Sequence, residues 1–461
     1  MSFKKKHIIY FASNLLILPI LVKEEFSLLE IIAIFISLNI LIDFVFEFGK
    51  KIVILEAIAA IASVEVLLMP ALVFHYDPDV MYTSSYNYFF YIIPSFLALM
   101  LAFKIRIFKR RNDTNYFENA KEYLSKKKNI TKIYALIIIG GIALLLKKFL
   151  PPGLQFLFSA LSLLLKVSLL FILISNSSKS NKWIFSLIIL FSVASHDIGK
   201  GMFGDIMKWM LLWLIIITAF FPYKISFKRK LIFLSFGLYA LLVIQVTKAE
   251  YRKQIWNNDI NIVEQKEDGG IIKFTTIVKD NIFAFDKLFS ADNLTKGPLR
   301  RLNSGIVISN LINYVPKKHP HLYGTTLSSI YLAFIPRAIW KNKPKVSGRD
   351  YIKKYTTMYL SPRNSIEISP IGEGYLNFGG LGFIAVFFWA LFIKCIYDFF
   401  FAYSHKIKIL FLWLPAIMVG LVTCMENSIK TTTIAIISTF IIIIFINLLL
   451  FAKLRFFKVT K

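Results

Sequence analysis

The chain has 461 residues, of which 57% are hydrophobic and only 18% are charged. Soluble domains carry about 25% charged residues, so the composition excludes an ordinary soluble protein and favours the lipid bilayer as the solvent. Lys and Arg outnumber Asp and Glu by 55 to 27. They stand between apolar runs and not on one soluble face, which argues against nucleic-acid binding.

Apolar runs recur along the whole chain. Because a membrane-spanning helix needs about 20 apolar residues, they predict an all-α polytopic protein with about 12 transmembrane helices. The first run follows Lys4-Lys5-Lys6 and ends at Lys23 without a signal cleavage site, which indicates a retained helix. The predicted spans are residues 8–22, 27–46, 51–74, 87–103, 132–148, 154–175, 182–196, 205–222, 230–247, 379–402, 408–424 and 430–452.

Basic residues concentrate in alternate loops, such as 104–132 and 224–230, whereas 75–86 and 425–429 contain few or none. Positive loops stay in the cytoplasm. The pattern therefore predicts a protein of the bacterial inner membrane with an even number of helices and both termini in the cytoplasm. The chain then divides into three parts. They are an N-terminal membrane region with about nine helices, a large extracytoplasmic segment, and a C-terminal membrane region with about three helices, at 1–247, 248–378 and 379–461.

The predicted outer segment 248–378 is basic. It contains 20 Lys and Arg against 11 Asp and Glu, a net charge of +9. Outer loops normally carry little positive charge, so this excess predicts an anionic ligand near the membrane, with arginine suited to phosphate oxygens. The alternative is a solvated basic surface. The candidates are Arg300, Arg301, Lys317, Lys318, Arg337, Lys343, Arg349 and Arg363.

Two short motifs in the outer segment contain candidate acid–base residues. PKKHPHLYG (316–324) contains His319 and His321, which would point the same way in an extended chain. GEGYLNFGGLG (372–382) is predicted to open the tenth helix and contains Glu373, a candidate general base. The alternative for Glu373 is a carboxylate stabilised at a helix start. No CxxC motif or His/Cys cluster occurs, so neither a metal nor another cofactor is predicted.

Taken in order, these motifs resemble the Wzy-type O-antigen polymerases, which join oligosaccharide repeat units. The resemblance rests on the 12-helix plan with a late outer segment and on the order of arginine, RLNSG, the His/Pro motif, IPRAIWKNKP and GEGYLNFGGLG. A short outer loop, SHDIGKGMFGD (195–205), adds to it. The helix plan covers the whole chain, whereas the motifs cover mainly 195–205 and 300–382.

The resemblance implies a membrane glycosyltransferase of the GT-C type, independent of metal, that acts on repeat units linked to undecaprenyl pyrophosphate. Basic side chains would neutralise the leaving pyrophosphate, and a histidine or Glu373 would act on the acceptor hydroxyl. Lys200 stands where relatives often have arginine, and lysine lacks the bidentate fork. The residues implied at the pyrophosphate are Arg300, Arg301, Arg337, Lys200 and Arg349, and those implied in catalysis are His319, His321 and Glu373.

Two other functions stay open at this point. An O-antigen ligase would transfer the finished chain to a lipid core, and a transporter or flippase would move the lipid-linked unit across the membrane. Transporters often show repeated halves, and the two halves of this chain do not match. The expected partners are the lipid-linked oligosaccharide and the bilayer, together with a chain-length regulator and a flippase.

Overall fold

Helices make up most of the chain wherever the structure describes it, and no β-strand occurs in those residues. The structure is a computed structural model. It describes residues 3–108, 122–150, 152–175, 180, 183–184, 186–187, 204–220, 226–256, 270–288, 299–333, 348–360, 366–403 and 424–451. The predicted all-α class is therefore confirmed for these residues.

In the N-terminal half, helices lie close to the predicted spans. The second helix begins with a capping box. The Ser27 side chain accepts the Glu30 N–H at 3.4 Å, and the Glu30 side chain accepts the Ser27 N–H at 2.9 Å. The helices are α1 (Phe3–Lys23), α2 (Leu28–Glu47), α3 (Ile54–Ser63), α4 (Met69–Tyr76), α5 (Ser85–Lys104), α6 (Lys127–Leu146), α7 (Pro152–Ile174), α8 (Gly204–Phe220) and α9 (Phe227–Trp256).

A π-helical segment, Val64–Leu68, joins α3 to α4. Such a segment carries an extra residue in the turn and shifts the backbone hydrogen bonds. The Val66 carbonyl accepts a hydrogen bond from the Tyr88 hydroxyl of α5 at 3.0 Å. Glu65, also in this segment, accepts from the Ser304 hydroxyl at 3.1 Å. The π-helical segment between α3 and α4 is therefore hydrogen-bonded both to α5 and to Ser304, far along the chain.

The C-terminal half is also helical where it is described. Its helices are α10 (Gly270–Asn281), α11 (Phe285–Leu288), α12 (Gly305–Lys318), α13 (Thr325–Ala333), α14 (Gly348–Tyr355), α15 (Pro370–Phe378), α16 (Gly382–Tyr403) and α17 (Ile429–Phe451). Helix α16 packs along α5, while α12 packs on α14 and α15, and α13 packs on α17.

Within the described residues, six helices are long and apolar enough to cross a membrane, which confirms a polytopic α-helical membrane protein. The predicted spans 182–196 and 408–424 lie almost entirely outside the described residues. The total of about 12, the orientation and the position of 248–378 outside the membrane stay predictions. The six are Lys6–Lys23, Leu28–Glu47, Ile54–Tyr76, Ser85–Lys104, Phe227–Lys248 and Pro370–Ala402.

The segment Pro370–Ala402 is not one straight helix. In a continuous helix, residues eight apart lie about 12 Å from each other along the axis. A Cβ on Gly382 would instead lie 2.4 Å from the carbonyl carbon of Gly374. Helix α15 therefore folds back on α16 through a turn at Gly379, whose φ is +58°. The prediction that GEGYLNFGGLG opens the tenth helix is wrong in this respect, because most of the motif forms a separate helix.

Candidate functional site

An apolar groove lies between α13, α16 and α17. Its volume is about 740 Å³, within the range of roughly 300–1,000 Å³ that is typical of ligand sites. The residues that line it are almost all apolar or aromatic, and they are Tyr323, Leu327, Ile330, Phe378, Leu381, Ile384, Ala385, Phe388, Trp389, Phe392, Ile429 and Thr433.

The groove opens towards the lipid-facing side of α16. Leu381, just before α16, and Phe388 on α16 are 63% and 62% exposed, and this helix is apolar enough to lie in a membrane. Apolar side chains that face outward from such a helix are solvated by acyl chains. The groove is therefore suited to a hydrocarbon chain that enters sideways from the bilayer.

His321 does not line the groove, but it packs against the residue that follows Phe378. A Cβ at Gly379, the next residue, would lie 2.8 Å from Nε2 of His321. The imidazole packs edge-on against Tyr375, with ring centroids 5.5 Å apart. Its Nδ1 is buried and has no hydrogen-bond partner within the described part of the chain. An imidazole, which can accept or donate a proton, therefore packs one residue beyond Phe378 of the groove.

A tight turn after His321 is held by Asn377. Tyr323 and Gly324 both adopt positive φ, at 45° and 89°. The backbone carbonyl of Asn377 accepts the N–H of Tyr323 at 3.0 Å, and its side-chain oxygen accepts the N–H of Gly324 at 3.0 Å. Its amide nitrogen donates to the Thr326 hydroxyl at 2.7 Å. The sequence analysis did not single out Asn377. Its side chain could have been recognised as the one amide in the glycine-rich motif GEGYLNFGGLG, with both a hydrogen-bond donor and an acceptor.

His319 has different neighbours. Its ring packs against Tyr314 and Tyr355, with centroids 5.6 Å and 5.4 Å away. The sequence predicted that His319 and His321 point the same way, but the structure packs their rings on different tyrosines. His321, and not His319, is the histidine packed against Gly379 at the groove.

Glu373 is 3% exposed and stabilises the start of another helix. Its carboxylate accepts the backbone N–H of Ile429, the first residue of α17, at 2.7 Å. Glu367 acts beside it by accepting the backbone N–H of Ser428 at 2.9 Å and the Thr431 hydroxyl at 3.0 Å. Carboxylates at a helix N-terminus are favoured by its free N–H groups and dipole. This geometry matches the alternative interpretation of Glu373 as a carboxylate stabilised at a helix start. The helix start is that of α17 and not that of the helix that contains Glu373.

The predicted phosphate-binding residues are spread over several places. Both Nε and Nη2 of Arg300 donate to one carboxylate oxygen of Asp77, just after α4, at 3.2 Å and 2.8 Å. Arg301 is exposed next to it, and Arg349 is half-buried on α14. Arg337 and Lys200 lie outside the described residues. The described contacts therefore join Arg300 to a membrane helix and not to the histidines.

The described residues contain no group of three or more His, Cys, Asp or Glu side chains placed to hold a metal ion. Comparison of the chain with known protein families, with characterised proteins and with solved structures found no match in any of the three.

Proposed function

We propose that this protein is a membrane glycosyltransferase that polymerises oligosaccharide repeat units linked to undecaprenyl pyrophosphate at the outer face of the inner membrane. One observation carries the proposal, which is an apolar groove on an outward-facing side of a membrane helix, with His321 packed beside Gly379, the residue after Phe378 of its lining. A polyprenyl carrier is a hydrocarbon chain with a charged sugar-bearing head. The groove is suited to the hydrocarbon chain, and the imidazole would lie near the head.

In the proposed reaction, an acceptor hydroxyl on one lipid-linked unit attacks the anomeric carbon of the growing chain. The bond from that carbon to the pyrophosphate oxygen breaks, and the pyrophosphate keeps the electron pair. His321 removes the hydroxyl proton, which is the usual task of a general base. Basic side chains neutralise the charge that develops on the leaving pyrophosphate, and Arg300 and Arg301 are the candidates that the sequence offers. The product is a polysaccharide longer by one unit and a free carrier pyrophosphate.

The direct test uses purified protein and purified lipid-linked repeat units in detergent. A ladder of longer glycans on the lipid carrier supports a polymerase. Transfer only to an added lipid-core acceptor would indicate a ligase instead. Detergent micelles have no two sides, so a transporter would leave the units unchanged.

One observation favours the transporter alternative. Lys394 and Asp398 form an ion pair inside α16 and are only 6% and 1% exposed. Buried charges in membrane helices often belong to ion or proton pathways. These two residues lie one turn apart on the same helix and neutralise each other. The pair is therefore also explained by the stability of α16, and the polymerase remains the proposal.

Filling the groove should weaken the use of lipid-linked substrate. Ala385 lines the groove on α16, so Ala385→Trp places an indole where the hydrocarbon chain would lie. We expect KM for the lipid-linked unit to rise about tenfold or more, which corresponds to about 1.4 kcal/mol of lost binding. The matched control is Phe236→Trp, at a side chain on α9 that is 71% exposed and outside the groove. An unchanged KM in Ala385→Trp would remove the groove from the substrate path.

Arg300→Ala should remove long glycans without lowering the amount of folded protein. The ion pair with Asp77 is exposed, with side chains 42% and 30% accessible, and such pairs contribute about 0–1 kcal/mol. Gel analysis of surface glycans is expected to show single repeat units in Arg300→Ala. Asp77→Asn removes the same ion pair but keeps the guanidinium, so it should retain long chains. Equal loss in both variants would show that the pair matters only for structure.

A further inference from the structure

Helix α10 packs antiparallel on the last turns of α9. The rings of Tyr251 and Phe274 lie 5.5 Å apart, and Ile277 is buried in the same small cluster. At the end of α10, the amide nitrogen of Asn281 donates to the side chains of Thr247 and Glu250, at 3.4 Å and 2.8 Å. Phe274, early in α10, thus contacts Tyr251 of α9, whereas Asn281 at the end of α10 contacts Thr247, one turn earlier in α9. Helix α10 runs back towards the apolar part of α9.

The turn that follows reaches the apolar span itself. The hydroxyl of Tyr239 donates to the Ile282 carbonyl, and the rings of Tyr239 and Phe285 lie 6.0 Å apart. The span of α9 covers Phe227–Lys248, so Tyr239 lies nine residues, or about 13 Å, inside its end at Lys248. The turn Asn281–Leu288 thus lies beside a part of α9 that belongs in the membrane.

Two phenylalanines on this turn are exposed, although Phe285 also packs on one side against Tyr239. Phe283 is 78% exposed and Phe285 is 54% exposed. The backbone around them is paired, since Ile282 N–H donates to Val278, Ala284 N–H to Asn281 and Leu288 N–H to Ala284, at 2.9 Å, 3.2 Å and 2.9 Å. Paired backbone groups and outward apolar side chains are what a segment in contact with acyl chains requires.

Charged groups around the turn are suited to the headgroup region. Lys273, Lys279 and Asp280 are exposed on α10, and Asp286 and Lys287 are exposed on the turn. Side chains of both charges are solvated in the polar headgroup region and not among acyl chains. Lys287 pairs with Glu250 at the end of α9. Burial alone would raise the pKa of Glu250, but hydrogen bonds from Lys287 and Asn281 outweigh it and lower that pKa. The carboxylate is therefore charged at neutral pH, and this pair fastens the turn to α9.

We propose that the turn Asn281–Leu288 is a lipid anchor, with Phe283 and Phe285 inserted among the acyl chains of the bilayer beside α9. The first part of the segment 248–378 is then an interfacial hairpin and not a free loop. The argument is the continuity of this turn with the apolar surface of a membrane-spanning helix. It does not depend on the proposed glycosyltransferase activity.

The test measures where a spin label at Phe283 lies. Phe283→Cys is made in full-length protein that also carries Cys395→Ala and Cys424→Ala, labelled with a nitroxide and placed in nanodiscs of phosphatidylethanolamine and phosphatidylglycerol. Two single-cysteine references bracket the result. Phe236→Cys lies on the span of α9, where the side chain is 71% exposed, and Tyr359→Cys is 90% exposed beyond α14. Phe285→Cys repeats the measurement if Phe283→Cys fails to fold.

We expect the label at 283 to be relaxed by oxygen and protected from a water-soluble nickel chelate, as at 236. A label relaxed by nickel, as at 359, would place the turn in water and overturn the anchor. Protection from both reagents would show that a second copy of the chain or another protein covers the phenylalanines, which also overturns it.

Discussion

His321→Ala is expected to lower glycan elongation by at least about 100-fold, the usual contribution of a positioned general base, while lipid-linked substrate still binds. The imidazole packs against Gly379, next to Phe378 of the groove, and its buried Nδ1 has no partner within the described residues. A small side chain would leave the acceptor hydroxyl without a proton acceptor. Elongation per folded enzyme and binding of the lipid-linked unit are measured separately on the purified protein.

His319→Ala is the matched control, two residues away. Its ring packs between Tyr314 and Tyr355, so its loss should lower thermal stability more than the elongation rate. Free imidazole should partly restore elongation to His321→Gly, a rescue that a purely structural histidine would not show. Parent-like elongation in His321→Ala would assign the base to another residue.

Gly379→Ala should impair elongation strongly, whereas Gly380→Ala should not. Gly379 has φ +58° and ψ −135°, a conformation that costs other residues about 1–3 kcal/mol. The added methyl would also lie 2.8 Å from Nε2 of His321 and displace the imidazole. A Cβ at Gly380 meets nothing within 4 Å.

Comparison of these two neighbouring glycines separates the effect of a methyl group at Gly379 from the general effect of replacing a glycine in this turn. We expect elongation in Gly379→Ala to fall about tenfold or more, since each 1.4 kcal/mol is worth about a factor of ten, together with a lower melting temperature. Gly380→Ala should match the parent in both measurements. Equal rates in the two variants would show that the position of His321 against Gly379 has no role in the reaction.

The membrane helices were predictable because their signal is local. Each consists of a predominantly apolar run, and the predicted spans 27–46 and 87–103 end within two residues of α2 and α5. The fold-back of α15 was not predictable in the same way. It depends on Gly374 meeting Gly382 across a turn, and an apolar run through this region reads equally well as one longer helix.

The candidate site was predictable as a set of residues but not as an arrangement. The glycine-rich motif indicated a close approach, and the structure places His321 against Gly379. His321, which packs against Gly379 of this motif, lies 58 residues earlier in the sequence and outside the motif. Glu373 likewise bonds to Ile429, 56 residues later. Contacts of this range depend on how whole helices pack, and one sequence contains no local signal for them.

The hydrogen bonds that hold α12 and α15 have a consequence for biosynthesis. The Tyr91 hydroxyl donates to the Ile371 carbonyl, 280 residues further along the chain, and the Tyr82 N–H donates to the Ser309 hydroxyl across 227 residues. Helix α5 is therefore translated and inserted long before its partners leave the ribosome. At about 5–20 residues per second, a buried tyrosine hydroxyl waits roughly 14–56 s for its acceptor. During that interval the nascent protein exposes polar groups inside the membrane to chaperones and proteases.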